Sequence, residues 1–256
     1  MGNAKHEAPP GTQAVVRAVR LLKAVGAARS SCSLQELCAE VGLLKPTAHR
    51  ILAALESEGL VSQDPSSRRF RLGPEITSLA SGAFHVLDLR TTARPILERL
   101  ARDTGETATL EVPVGNEMLI LDEVTGRHLV GAKAEIGTRW PIYATSTGKA
   151  ILALLPDQQR RLQLSQPRLR LTTATLVKQK LLHKDLDVAR KRGYATVFGE
   201  LEEGFCAVGS ACTDSSGEPI AALSVGGPKD RFTKRSIDQI GQIVCKAADE
   251  LSAALR

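Results

Sequence analysis

The stretch Ser33–Val61, SLQELCAEVGLLKPTAHRILAALESEGLV, decides the fold of the N-terminal part of this chain. Ser31 or Ser33 can cap the start of a helix, and Glu36, three residues after Ser33, completes the pattern of a capping box. Gly42 allows that helix to end in a tight turn, and Pro46 stands where a following helix tolerates a missing N–H. The stretch therefore predicts two helices joined by a glycine turn.

Segments on both sides of this stretch complete a known order of elements. Leu60–Gln63 and Arg69–Leu72 are short extended segments, and the turn residues Asp64–Ser67 between them predict a β-hairpin. Helical spacing of apolar residues predicts an earlier helix over Gln13–Val25. Its inner face is expected to consist of Val15, Ala18, Val19, Leu22 and Val25. Helix, helix, glycine turn, helix and hairpin is the order of a winged helix-turn-helix.

This order predicts a DNA-binding surface on the third helix and the hairpin. One face of the third helix packs on the second helix, and the other can place polar side chains against base edges in the major groove. Lys45 and Arg50 are expected to read or anchor the groove, and Arg17 and the hairpin arginines to hold phosphates. A solvated surface would explain any one of these residues, but their combination favours DNA contact. The predicted contacts are Arg17, Lys45, Thr47, His49, Arg50, Arg68, Arg69 and Arg71.

Composition bounds the class of protein. The 256 residues suit two domains, 43% of them are apolar, and the net charge of +6 favours a polyanionic partner without requiring one. Five cysteines without a Cys-x-x-Cys pair argue against a disulfide framework or structural zinc, and for a reducing compartment. Residues 1–12 are expected to form a disordered polar leader, and no apolar run approaches the ~20 residues of a membrane span. We therefore expect a cytoplasmic protein with no membrane partner.

The rest of the chain predicts a second, larger domain, so that the whole is of class α+β. Residues 13–74 form the DNA-binding domain, 75–90 a linker helix and 91–256 the second domain, with a helix break near Arg94-Pro95. Strands and helices mix there without strict alternation, which favours an antiparallel sheet. Predicted strands are Thr107–Val114, Met118–Val124, Leu129–Ala134, Ala207–Cys212 and Ile220–Val225. Predicted helices are Ser146–Leu155, Pro156–Leu164, Val177–Arg192 and Lys234–Leu255.

Several segments resemble the isocitrate-lyase-regulator (IclR) family of bacterial transcription regulators. In the first domain they are RAVRLLKAV (17–25), the stretch 33–61 and RRFRLG (68–73). In the second they are GTRWPIYATSTGKAILALLP (137–156), RKRGYATVFGELEEG (190–204) and GEPIAALSVGGP (217–228). The resemblance covers nearly the whole chain in order. It implies a GAF-like domain that binds a small-molecule effector, and homodimers or tetramers bound to double-stranded DNA at pseudo-palindromic operators.

A ligand pocket is expected where the segment Tyr143–Thr147 leads into a helix. Free N–H groups at a helix start, together with small hydroxyls, suit a carboxylate, although an ordinary capped helix explains the same residues. Strands carrying Phe205, Ala207 and Ser224 are expected to form a second wall. The family resemblance implies effector contacts at Leu129, Ala132, Trp140, Ser146, Thr147, Val197, Ala207, Ser224 and Gly226.

Three of these positions depart from the family members that bind small organic acids. Such members tend to have a carboxylate at the place of Val197, a cysteine at that of Ala207 and a serine at that of Gly226. Cys206 is displaced by one residue, so its side chain should point to the other face of a strand. Fewer polar groups and more aromatic surface predict an aromatic or largely apolar organic acid as effector. Glu200, a frequent acid in the family, can cap its loop or line the pocket, and we favour the structural role.

Enzyme motifs are incomplete in this sequence. The run STGKA is similar to a phosphate-binding loop, but Tyr143 stands where the motif needs glycine and Ala150 where it needs Ser or Thr. In ALSVG, Ala222 replaces the first glycine of a nucleophile elbow. The five histidines show no metal-ligand spacing, so no catalytic residue, metal or cofactor is predicted. Two alternatives stay open: a ligand-independent DNA-binding protein, and an enzyme with a DNA-binding-like N-terminal domain.

Overall fold

The computed structural model of the chain describes residue 9 and residues 11–28, 30–82, 84–128 and 136–255, with the backbone alone at 80–82 and 84–88. The described residues divide into two compact units, with the boundary between Leu87 and Asp88. Most of the predicted leader, residues 1–8 and 10, lies outside the described residues.

The N-terminal unit contains the predicted winged helix-turn-helix. Its elements are α1 (Gln13–Ala27), α2 (Leu34–Val41), α3 (Lys45–Ser57), β1 (Val61–Gln63), β2 (Phe70–Leu72) and α4 (Glu75–Gly82). The capping box is present, since Ser33 Oγ accepts a bond from the Glu36 amide at 3.3 Å and Glu36 Oε2 accepts one from the Ser33 amide at 2.6 Å. Gly42 ends α2 in the left-handed region at φ 70°. The antiparallel wing pairs Val61 with Leu72.

The predicted inner face of α1 is only partly correct. Val15 and Val19 are exposed by 64% and 45%, whereas Leu21, Ala24 and Val25 are buried. Only the C-terminal half of α1 is covered within this unit, so the apolar stripe is longer than the surface that packs on it. The buried core that results consists of Leu21, Ala24, Val25, Cys32, Leu37, Ala48, Leu52, Val61 and Phe70.

The capping box is expected to contribute measurably to stability. Ser33→Ala leaves the Glu36 amide without its acceptor and should lower the free energy of unfolding by about 1 kcal/mol. Chemical denaturation of the full chain, followed by the circular dichroism of its helices, measures the change. Gln35→Ala is the matched control, because Gln35 is exposed on the same first turn. Equal stability of the two variants would contradict the role of the cap.

The helix α5 (Phe84–Thr104) runs without interruption through Pro95. The predicted break near Arg94-Pro95 is therefore wrong. The described residues of the predicted linker segment 75–90 fall in α4 and in the start of α5. Proline removes one backbone bond from a helix. Ala93 and Leu97, on either side of Pro95, are buried in the domain core. Their packing outweighs the free-energy cost of a proline inside the helix.

In its described residues, the second unit is built on one six-stranded antiparallel sheet, as the α+β prediction requires. Its order is β5-β4-β3-β8-β7-β6. The strands are β3 (Thr107–Val114), β4 (Glu117–Val124), β5 (Arg139–Pro141), β6 (Ala195–Phe198), β7 (Phe205–Thr213) and β8 (Pro219–Pro228). The short strands β5 and β6 were not predicted, and the predicted strand Leu129–Ala134 lies outside the described residues.

Helices cover both faces of this sheet. The remaining helices are α6 (Ser146–Leu154), α7 (Asp157–Gln163), α8 (Gln179–Arg192) and α9 (Lys234–Ala254). Neighbouring residues of β8 show the two faces, because Leu223 packs in a core with residues of α5 and α9, whereas Ala222 packs in another with residues of α6 and α8. The start of α6 thereby lies against one face of the sheet.

Candidate functional site

A pocket opens between the start of α6 and the face of the sheet opposite to α5 and α9. The space inside it, including the open mouth, is about 450 Å³. Trp140, at the edge strand β5, is 37% exposed. The described lining consists of Thr107, Thr109, Glu111, Ile120, Trp140, Thr145, Ser146, Thr147, Val197, Leu201, Phe205, Ala207, Ser224 and Gly226.

The structure brings eight of the ten predicted effector contacts to this pocket. They are Trp140, Ser146, Thr147, Val197, Phe205, Ala207, Ser224 and Gly226. The other two, Leu129 and Ala132, lie outside the described residues. Thr145 also lines the pocket and belongs to the segment Tyr143–Thr147 where the pocket was expected. Sequence reasoning missed five lining residues: Thr107, Thr109, Glu111, Ile120 and Leu201. The alternation of β3 carried a signal for three of them, because Thr107, Thr109 and Glu111 are polar on one face while Ala108 and Leu110 are apolar on the other.

A chain of polar side chains crosses the floor of the pocket. Glu111 accepts a hydrogen bond from Thr109 Oγ1 at 2.9 Å on Oε1 and one from Thr147 Oγ1 at 2.7 Å on Oε2. The hydroxyls of Thr109 and Ser224 are 2.7 Å apart, which extends the chain from β3 to β8. Burial raises the pKa of Glu111 above its ordinary value, and the two hydroxyl bonds oppose that shift.

Glycine at position 226 makes room for an aromatic ring. A Cβ at Gly226 would lie 2.7 Å from the end of the Phe205 ring. The ring therefore occupies the space in which a serine side chain would stand, and aromatic surface replaces a polar group. Cys206 lies in a separate buried cluster with Tyr194 and Val208, as the alternation of the strand predicts, and burial raises the pKa of its thiol to about 12.

Two contacts hold the start of α6 in place. Thr145 Oγ1 accepts a bond from the Gly148 amide at 3.0 Å and caps the helix. The next residue, Lys149, is completely buried, and its Nζ lies 2.6 Å from Glu200 Oε1 and 2.8 Å from Asp185 Oδ2. Glu200 is not among the described lining residues of the pocket, and its carboxylate holds a lysine of α6, a partner that was not predicted.

The predicted DNA contacts occupy the outer surface of the N-terminal unit. Lys45, His49 and Arg50 are exposed on the first turns of α3, and Thr47 is half-buried. These turns present polar side chains to solvent while Ala48 and Leu52 are buried in the core of the unit. The other predicted contacts that are exposed are Arg17 on α1 and Arg68 and Arg71 on the wing.

Arg69 differs from the other wing arginines, because its guanidinium is bound within the unit. Its Nε donates to Ser31 Oγ at 3.0 Å, and one terminal nitrogen donates to the Ser31 carbonyl at 2.8 Å and to Glu36 Oε2 at 3.1 Å. These bonds tie the wing to the start of α2. Arg69 thus holds the wing in position, and its contact with phosphate stays a prediction.

The described residues also bear on metal sites, disulfides and membrane-spanning helices. In the parts of the chain that the structure describes, no group of three His, Cys, Asp or Glu side chains is placed to hold a metal ion. All five cysteines are free thiols. Among the described helices, none combines the length and the apolar character that are needed to cross a membrane.

Comparison with known families accounts for both units. The model of the IclR helix-turn-helix domain matches residues 14–65, and that of the bacterial transcriptional regulator IclR C-terminal domain matches residues 81–253. The chain belongs to the IclR family. This IclR protein is therefore a transcription regulator with a helix-turn-helix DNA-binding domain.

Relatives and solved structures agree with this assignment. The transcriptional repressor IclR of Escherichia coli K12 is 33% identical over 245 residues, which are 94% of this IclR-family chain and 89% of the relative. The repressor AllR of the same strain is 29% identical over 99% of this chain and 94% of its own. An IclR homologue of Microbacterium hydrocarbonoxydans, solved with 4-hydroxybenzoate, is 27% identical with a TM-score of 0.82, covering 95% of this chain and 99% of that one. The Thermotoga maritima IclR structure is 26% identical with a TM-score of 0.72, covering 94% and 98%.

Proposed function

We propose that this protein binds a pseudo-palindromic operator as a homodimer or tetramer, and that a small molecule in the pocket changes its affinity for that operator. The observation that carries the proposal is the pocket itself. It is lined by the sheet and by the start of α6, in the domain that accompanies the DNA-binding unit. Five free thiols support a reducing, cytoplasmic location, and the family's regulatory role supports a protein without catalytic activity.

The proposed effector is an aromatic or largely apolar organic acid. Trp140, Phe205, Ile120, Val197 and Leu201 present apolar surface to the pocket, which suits an aromatic body. The N-terminus of α6 offers partial positive charge to an acidic end. The 4-hydroxybenzoate bound by the Microbacterium homologue has this chemistry.

Regulation is proposed to follow from a shift between two arrangements of the DNA-binding units. An effector changes operator affinity only if it binds one arrangement more tightly than the other. The helices α4 and α5 lie in the chain between the wing and the first strand of the pocket, and are the proposed route of coupling. Alanine scanning of α4, with the effector-induced change in operator affinity as readout, tests this route.

The direct test is fluorescence anisotropy on the duplex upstream of the protein's own gene, against a scrambled duplex, over a series of salt concentrations. A preference for the native duplex that 4-hydroxybenzoate strengthens or weakens would support both parts of the proposal. Log affinity should fall with log salt at about −0.9 per phosphate contact. Weak and equal binding to both duplexes would contradict this operator, and an unchanged affinity at saturating effector would contradict regulation.

The same assay examines base reading by α3. Arg50→Ala should weaken operator binding by about 1–3 kcal/mol while changing binding to scrambled DNA less, because a base contact is lost only on the specific sequence. Arg20→Ala is the matched control, since Arg20 is an exposed arginine outside the predicted contact set. An equal loss on both duplexes would make Arg50 a phosphate contact, and no loss on either would remove it from the interface.

A further inference from the structure

One ionisable side chain lies among the described lining residues of the pocket, and it is an acid. Glu111 is 6% exposed, and both of its carboxyl oxygens accept hydrogen bonds from threonine hydroxyls. The described lining contains no lysine, arginine or histidine. An acidic effector would therefore enter a pocket that already holds a carboxyl group and offers no cation from this part of its wall.

We propose that Glu111 is a specificity residue that binds the acidic effector in its protonated form, donating its carboxyl hydrogen to the effector's carboxylate, so that effector and one proton bind together. This inference rests on the proposed function of the pocket. The proton comes from solvent, and no covalent bond forms or breaks in the effector.

The hydrogen-bond geometry leaves the O–H of a protonated Glu111 available to the effector's carboxylate. Each oxygen of a carboxyl group has more than one acceptor site, so a protonated Glu111 keeps the bonds from Thr109 and Thr147. Both hydroxyl hydrogens are then directed at Glu111, and its own O–H is free to donate into the pocket. A buried carboxylic acid that stays neutral and donates a hydrogen bond is known from an enzyme active site.

The charges around Glu111 favour the neutral form. The lining side chains that face it from α6, β6, β7 and β8 are not titratable. Lys149 is on α6, but its ammonium is bound to Glu200 and Asp185. Burial raises the pKa of Glu111, and no charged neighbour is among the causes that shift it. Two ionised carboxylates in this pocket would repel each other with little screening by water.

The test is isothermal titration calorimetry of the full-length protein with 4-hydroxybenzoate, in buffers that differ in ionisation enthalpy. At a pH where free Glu111 is ionised, each binding event should take up about one proton. In that range the Kd should rise by up to about tenfold per pH unit. Benzylamine, a cation with the same ring, should bind more weakly than benzoate.

Glu111→Gln is the matched variant, because an amide keeps the size and a donor but cannot titrate. It should bind 4-hydroxybenzoate without proton uptake, with an affinity that no longer depends on pH. Glu203→Gln, an exposed glutamate outside the pocket, should behave as the unaltered protein does.

The outcomes separate this inference from the proposed function. Tight binding of the acid to the unaltered protein without proton uptake would overturn the role of Glu111 and leave the effector class standing. Binding of benzylamine in preference to benzoate would show an ionised Glu111 that pairs with a cation, and would overturn both. Failure of every aromatic acid to bind would overturn the effector class, and the role of Glu111 with it.

Discussion

Replacing Lys149 with methionine is expected to lower the free energy of unfolding of the C-terminal unit by about 3–5 kcal/mol, because it leaves a buried carboxylate without its partner. Lys149 is fully buried, and the Glu200 carboxylate that it binds with two bonds, at 2.6 and 2.7 Å, is buried as well. Asp185 is more exposed and can be solvated when the lysine is removed. The uncompensated charge of Glu200 is therefore the main source of the loss.

Trp140 provides the measurement, because it is the single tryptophan of the chain and lies in the C-terminal unit. Its fluorescence during chemical denaturation reports on this unit alone. The double variant Lys149→Met with Glu200→Gln removes both charges and should recover a large part of the loss, because a neutral pair needs no compensation. If the double variant were as unstable as the single one, lost packing rather than unpaired charge would explain the effect.

The pH dependence of the stability of Lys149→Met gives an independent check that the unpaired charge of Glu200 causes the loss. Burial raises the pKa of Glu200, and Lys149 opposes that shift, so removal of the lysine should raise the pKa further. A carboxyl whose pKa is raised by folding stabilises the folded state less as pH increases through that pKa. The stability deficit of Lys149→Met should therefore shrink as the pH is lowered and Glu200 becomes protonated. A deficit that is constant with pH would argue against Glu200 as its source.

Gly148→Ala is expected to lower the free energy of unfolding of the same unit by about 3 kcal/mol, at the upper end for overpacking. A Cβ at position 148 would overlap the Ile142 carbonyl oxygen and lie 2.6 Å from its carbon. Both are backbone atoms, so no side-chain rotation can relieve the contact. Alanine favours a helix over glycine by about 1 kcal/mol, but the overlap with the Ile142 backbone should outweigh this gain.

Gly26→Ala is the matched control for this change. Gly26 lies inside α1, and a Cβ there meets Leu72 side-chain atoms at 3.6 Å, an ordinary contact distance. The same substitution should therefore leave stability unchanged or raise it by up to about 1 kcal/mol. Trp140 fluorescence measures the first variant, and circular dichroism of the full chain the second. A neutral Gly148→Ala would show that the start of α6 can move away from Ile142.

The N-terminal unit could be predicted well because its decisive interactions are local. The capping box joins Ser33 and Glu36 within one helical turn, and Gly42 ends α2 through its own backbone conformation. The buried face of α1 was less predictable, since Val15 and Val19 fit the helical pattern but have no covering surface within the unit. The internal bonds of Arg69 could not be predicted for a similar reason, because its partners Ser31 and Glu36 are distant in sequence.

The sequence by itself determined the order of elements, the α+β class, the family and most of the pocket wall, since periodicity, caps and motifs are written in neighbouring residues. Only the tertiary structure decided that Pro95 stays inside a helix, that β5 and β6 join the sheet, and that Glu111 lies in the pocket while Lys149 is bound to Glu200. Each of these depends on partners far along the chain. Burial and the pairing of charges are set by such distant neighbours, and local pattern carries no information about which residues they will be.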